Sequence, residues 1–183
     1  MDLEEDSSLF LAIGLFILWL GWFFFNGGSA YGLYNSTLLP SKIIANTILG
    51  AGSAGATVYF VKKPISLWVC GCFQKKGEYY KTFRKSQRYD AGSLSNGLLA
   101  GLVAITAGCD VVEPWAAICI GTIAGIVYSF FSKFVLAMNI DDPLEAASVH
   151  YANGVWGVLS CIIFDSNKGF VSGNPAMGQY LGV

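Results

Sequence analysis

The 183-residue sequence is poor in charge. Asp, Glu, Lys and Arg make up only 13% of it, about half the ~25% usual in soluble domains. Neither sign dominates, with 11 Lys and Arg against 12 Asp and Glu. So balanced a chain lacks the basic surplus of a nucleic-acid binder, and no nucleic-acid partner is expected. Histidine occurs once. With one histidine, no Cys-x-x-Cys pair and no phosphate-binding loop, no nucleophile–base pair can be named, so the sequence does not read as an enzyme. No cofactor is expected either. The five cysteines are an odd number. Cys70-Gly71-Cys72 has no second pair to complete a tetrahedral zinc site, so no metal is expected.

What is abundant is apolar. Hydrophobic residues reach 54% and aromatics 15%, with a mean hydropathy of +0.54. A helix crossing ~30 Å of hydrocarbon takes about 17–25 apolar residues. Uncharged runs of that order fall at Leu9–Phe25 (LFLAIGLFILWLGWFFF), Ile43–Val61, Leu94–Cys109, Trp115–Ser132 and Ala146–Phe164. They lack the alternation of barrel strands and the polar stripe of a soluble bundle. The expected fold is an all-α membrane protein with spans near 9–27, 43–61, 93–109, 115–135 and 143–164, forming a single five-helix domain bathed in membrane lipid.

The connection at 62–90 holds Lys62, Lys63, Lys75, Lys76, Lys81, Arg84, Lys85 and Arg88, and the other connections hold little positive charge. The positive-inside rule places this loop and the N-terminus in the cytosol and the C-terminus outside. The loop reads as a topology determinant, with contact to anionic lipid as the rival. Plasma membrane is favoured over an organelle. The acidic start MDLEED argues against a cleaved signal peptide. Asn35-Ser36-Thr37 reads as an unused glycosylation sequon, and Cys109, Cys119 and Cys161 as small packing residues.

Glycine is plentiful, at 22 residues, and much of it lies inside the spans. Gly97-x-x-x-Gly101 and Gly121-x-x-x-Gly125 let backbones approach closely where apolar burial gives no drive to associate. Such packing suits a transporter or channel core better than an anchor. Asp142-Pro143-Leu144-Glu145 reads as a capping box with proline at the first helical position, opening the fifth helix. Glu113-Pro114 opens the fourth in a similar way.

His150, the sole histidine, lies five residues into the fifth apolar run. Ionisable groups within a span usually face a bundle interior or a wet cavity. Neutral imidazole both donates and accepts a hydrogen bond, which suits a small hydrogen-bonding solute. Helical spacing puts Asn153 one turn away and Ala146 and Gly154 on the same face. On the first helix Trp22, Phe25 and Ser29 share one face by spacing. Aromatic faces attract cations by ~0.5–2 kcal/mol; an interfacial aromatic belt is the plainer reading.

GWFFFNGGSA, ANTILGAGSAGA, NGLLAGLVAITAGCDVVEPWAAICIG and DDPLEAASVHYANGVWG resemble, in order, four consecutive signatures of the ammonium transporter (Amt/Mep/Rh) family. The resemblance runs from about Leu11 to Gly157. It implies a fold of eleven helices, two inverted five-helix repeats plus a last helix, assembled as a trimer. This chain resembles the second repeat, the sixth to tenth helices. The resemblance further implies that Phe25 is one of two stacked phenylalanines gating a pore and that Trp22 is an aromatic of that helix. It makes Ser29 the hydroxyl of an outer ammonium recruitment site, His150 the second of two pore histidines and Asp142 the acid opening the tenth helix. The implied substrate is ammonium or ammonia.

The sequence holds no counterpart of the family's first five helices or its eleventh. It carries Phe24 and Tyr151 where the family usually has glycine. A single repeat places its site at the interface with a second repeat, so a further membrane subunit or first repeat is expected to complete the path. Three readings compete: a piece of an ammonium transporter working with its missing half, a degenerate repeat kept as a non-transporting subunit of a larger complex, and a membrane enzyme with a soluble substrate, against which stands the lack of a nucleophile–base pair.

Overall fold

The computed structural model describes residues 8–29, 38–73 and 91–172, with side chains between 62 and 73 left aside. The acidic start, the Asn35 sequon, the side chains of the basic 62–90 loop with Cys70 and Cys72, and the end of the tail lie outside the described residues. Among those described, five α-helices succeed one another: α1 (Ser8–Gly28), α2 (Leu38–Phe73), α3 (Ala91–Thr106), α4 (Pro114–Ala137) and α5 (Asn153–Phe164). A wide π-helical turn, Ala147–Ala152, leads into α5. No strand occurs among the described residues; the one β contact is an isolated bridge between Val112 and Asp165.

Each helix grows from an uncharged apolar run whose backbone must satisfy itself in lipid. α1, α2, α4 and the stretch Ala147–Phe164 are long and apolar enough to cross a membrane; α3 is apolar but shorter. α2 runs past the end of its apolar span at Val61 and continues to Phe73. Cations leaving the membrane do not stop a helix, because Lys and Arg are good helix formers.

The core forms where α2 meets α3 and α4, and small residues make the meeting possible. A Cβ built on Gly101 of α3 would lie 2.5 Å from the Gly50 carbonyl oxygen of α2. One on Gly121 of α4 would collide with the same oxygen. One turn further along, Gly125 faces the Ala54 carbonyl at 2.7 Å and Gly97 faces the Val58 side chain. Gly101, Gly121 and Gly125 of the two GxxxG patterns therefore mark true backbone contacts, and Gly97 makes room for the Val58 side chain. Around them Ala51, Ala54, Ala100, Ala104, Ile105, Ala117, Ile120 and Ala124 are wholly buried. α5 joins through Gly157, whose Cβ would stand 2.6 Å from the Ala104 carbonyl.

The loop between α3 and α4 is tied down by polar groups. Asn46, fully buried on α2, donates to the carbonyls of Cys109 (3.0 Å) and Val112 (2.9 Å). Glu113 precedes α4 with no side-chain cap; its carboxylate pairs instead with Lys42 of α2 at 2.8 Å. Pro114 takes the first helical position, where a missing N–H costs nothing. Beyond α5, the Ser166 N–H and hydroxyl both donate to the Val111 carbonyl, at 3.0 and 2.7 Å. α1 is the outlier: only Leu15, Asn26 and Gly27 are buried.

Candidate functional site

The sequence reading of a capping box before α5 is corrected by the backbone. Pro143 and Leu144 lie in a turn, and Glu145 has φ 54°, in the left-handed region. A residue so placed cannot be the third position of a helix. The Asp142 carboxylate reaches further along, accepting from the N–H groups of Ala146 and Ala147, both at 2.9 Å. Glu145 turns its carboxylate toward α3 and α4. There it accepts from the Tyr128 hydroxyl, from Ser132 Oγ at 2.5 Å and from Asn96 Nδ2 at 3.2 Å. Left-handed backbone costs a non-glycine residue roughly 1–3 kcal/mol and persists where surroundings over-determine it; three converging donors do so here. Sequence reasoning missed this cluster because Glu145 had a ready explanation as part of a cap.

His150 sits in the π turn and is exposed on the surface of the bundle. The wider turn takes it out of the 3.6-residue register that placed Ala146, Asn153 and Gly154 around it. Asn153 is fully buried, its side chain donating to the Ser148 carbonyl at 2.8 Å. Gly154 has open space where a Cβ would stand. Tyr151 is 67% exposed, and its ring lies tilted 6.2 Å from that of Phe131 on α4. The imidazole is thus not sealed in an apolar contact within this chain.

On α1 the expected shared face divides. Trp22 turns inward, its Nε1–H donating to Thr106 Oγ at 2.8 Å; Thr106 in turn donates to the Leu102 carbonyl at 2.7 Å. Thr106, within a run of apolar residues, had no spacing to single it out. Phe25 is 62% exposed. Ser29 comes just after α1, with its hydroxyl donating to the Phe25 carbonyl at 2.6 Å. That bond fixes the hydroxyl proton inward and leaves the oxygen's lone pairs to accept from an N–H donor. Asn26 ties the same end of α1 to α2 through Thr47, at 3.1 Å. Among the described residues no hydrogen bond or ring contact joins His150 to Trp22, Phe25 or Ser29, so the described residues do not close a site around them.

The Trp22–Thr106 bond is open to test. Hydrogen bonds between membrane helices are worth about 0.6–2 kcal/mol. Trp22→Phe is expected to lower the stability of purified protein by that amount in a thermal or denaturant melt. Adding Thr106→Val should then cost little more, since the bond is already gone.

No group of three or more His, Cys, Asp or Glu gathers as a metal site among the described residues. Cys109, Cys119 and Cys161 carry free thiols.

Apolar helices, glycine-mediated backbone contacts and polar ties at the helix ends define a multi-pass membrane protein. The sequence matches the Ammonium Transporter Family over residues 1–66 and 79–182. The chain belongs to that family. Among its curated relatives, Ammonium transporter 1 member 1 of Arabidopsis thaliana is 35% identical over 167 residues, which are 91% of this chain and 31% of the relative. Ammonium transporter Amt2 of Archaeoglobus fulgidus is 36% identical over 155 residues, 85% of this chain and 28% of the relative. Among solved structures, a Sensor Amt Protein superposes with a TM-score of 0.68 at 35% identity, covering 87% of this chain and 34% of that one. Saccharomyces cerevisiae Mep2 gives 0.66 at 29% identity, covering 87% and 32%. The chain spans about a third of the length of the relatives it matches, and its five helices form part of the transporter fold.

Proposed function

We propose that this chain carries one half of an ammonium-conducting pathway and needs a first repeat to complete it. One observation carries the reading: the single histidine stands unsealed on the surface of a tightly packed, transporter-like half. In a complete fold that surface faces a second repeat. Ser29 offers acceptor lone pairs at the end of α1, Phe25 supplies exposed aromatic surface beside it, Trp22 anchors that end of α1 from the inner side, and His150 lines the path further in. Ammonium is recruited by the hydroxyl and the aromatic faces, gives a proton back to water at the outer end, and moves past the imidazole as neutral ammonia, since a bare cation in hydrocarbon costs far more than the neutral amine. Asp142 holds the turn before His150 in place. The basic loop sets N-terminus and loop in the cytosol and the C-terminus outside, in a plasma membrane, and the completed protein assembles as a trimer.

The test is complementation. In cells unable to take up ammonium, the chain alone is expected to give no growth, and the chain with a first-repeat polypeptide from a relative is expected to restore it. His150→Ala should abolish the rescue while leaving the amount of membrane-inserted protein unchanged. Stable association with the first repeat but no rescue in any combination would replace transport with the role of a non-conducting subunit.

A further inference from the structure

His150 owes its direction to a local irregularity in the helix. The segment Ala147–Ala152 is a π turn, with one residue more than an α-helix would need over the same stretch. Such turns are rare and concentrate at functional sites. Each residue of an α-helix advances about 100°, so an extra residue rotates α5 by that angle relative to the chain before the turn.

Both sides of the offset are pinned. Upstream, Glu145 is held by Tyr128, Ser132 and Asn96, and its carbonyl accepts from the Val149 N–H at 2.9 Å. Downstream, Gly157 lies against the Ala104 backbone, and Trp156 Nε1 donates to the Ile120 carbonyl at 3.0 Å. Were the turn to tighten to α geometry, these anchors would no longer agree. His150, in the middle, would swing toward the packed side that Val149 holds.

Asn153 closes the wide turn from within. A π turn leaves carbonyls without their usual partners. Asn153 supplies two donors: its side chain reaches the Ser148 carbonyl five residues back at 2.8 Å, and its backbone N–H bonds the His150 carbonyl. A fully buried amide is costly unless bonded; the Ser148 carbonyl takes the Asn153 Nδ2 donor, while Oδ1 has no partner among the described residues. We propose that Asn153 is a positioning residue that stabilises the π turn and so aims the His150 imidazole at the open face of the half-transporter.

The inference rests on reading His150 as a pathway residue, but its test does not need transport. His150 is the only histidine, so ethoxycarbonylation by diethyl pyrocarbonate, located by mass spectrometry, reads its accessibility directly. Full-length chain in lipid nanodiscs is labelled as wild type and as Asn153→Ala. A severalfold slower modification of His150, with a changed imidazole carbon shift by NMR, is expected. Gly154→Ala, which meets open space, should change neither. Should Asn153→Ala fail to fold, Asn153→Ser, too short to span to the Ser148 carbonyl, carries the same expectation. Wild-type labelling rate and shift in a folded Asn153 variant would overturn the proposal. Failure of wild-type complementation with a slowed Asn153 variant would instead remove the transport reading and leave the positioning role standing.

Discussion

Gly121→Leu should abolish the folded protein, and even Gly121→Ala should be severely destabilising. The reason is the identity of the atom that lies in the way. A Cβ at this position runs into the carbonyl oxygen of Gly50, a backbone atom in the middle of α2. Overpacking costs about 1–3 kcal/mol where flexible side chains can give way. Here two helix backbones would have to separate, and with them the contact of Gly125 against the Ala54 carbonyl. The loss should therefore exceed that range. Gly101→Leu should behave alike, because it presses on the same Gly50 carbonyl from α3. Gly14→Ala and Gly52→Ala form the contrast, having nothing within 4 Å of the added carbon. They should be neutral or stabilising by up to ~1 kcal/mol, the helix-propensity gain over glycine. Size-exclusion profiles and melting midpoints of detergent-purified variants give the comparison. Equal behaviour of Gly121→Ala and Gly52→Ala would mean that the α2–α4 contact is not as close as described.

The second large effect is expected at Glu145. Replacing it with alanine takes from the Tyr128 and Ser132 hydroxyls and the Asn96 amide the carboxylate they share, Asn96 keeping its longer 3.5 Å contact to the Leu144 carbonyl. An unsatisfied buried donor costs about 1–3 kcal/mol, and charged partners are worth more than neutral ones. For three donors that share one carboxylate the loss should reach about 3–5 kcal/mol, short of a simple sum because the interactions are coupled. Glu145→Gln keeps one carbonyl acceptor and should lose about half as much. Glu145→Gly separates backbone from side chain. It relieves the left-handed conformation at φ 54° but still removes the acceptor, so it should remain destabilising, by less than alanine. A glycine variant as stable as wild type would mean that the backbone, and not the carboxylate network, governs this corner. Unfolding in a graded denaturant series distinguishes the three.

Much of the architecture was legible in the residues because lipid imposes blunt requirements. A run such as LFLAIGLFILWLGWFFF has few alternatives to a helix, and in Gly97-x-x-x-Gly101 the reason for the spacing is the contact it makes. The family resemblance rested on four ordered stretches, and the match over most of the chain shows it. What escaped was whatever depends on a single local offset. No periodicity announces a π turn, since one extra residue within a helix looks like helix throughout. Glu145 stands after an Asp-Pro pair as a capping acid would, and only the backbone reveals that the helix starts after it. Trp22 shares a helix face with Phe25 by spacing, yet turns to Thr106, because a half-buried indole N–H finds an acceptor in the hydroxyl within reach on α3. Tyr151, which stands where the family usually has glycine, leans outward toward Phe131.

The scant burial of α1 sets it apart from the rest of the bundle. Its C-terminal half is fastened by Trp22 to α3 and by Asn26 to α2, while toward Ser8 only Leu15 is enclosed. A rod pinned near one end takes the lie of its other end from whatever surrounds it, be that acyl chains or a neighbouring polypeptide. The three-helix knot at Gly50 stands without α1, which is left as the adjustable edge of the bundle.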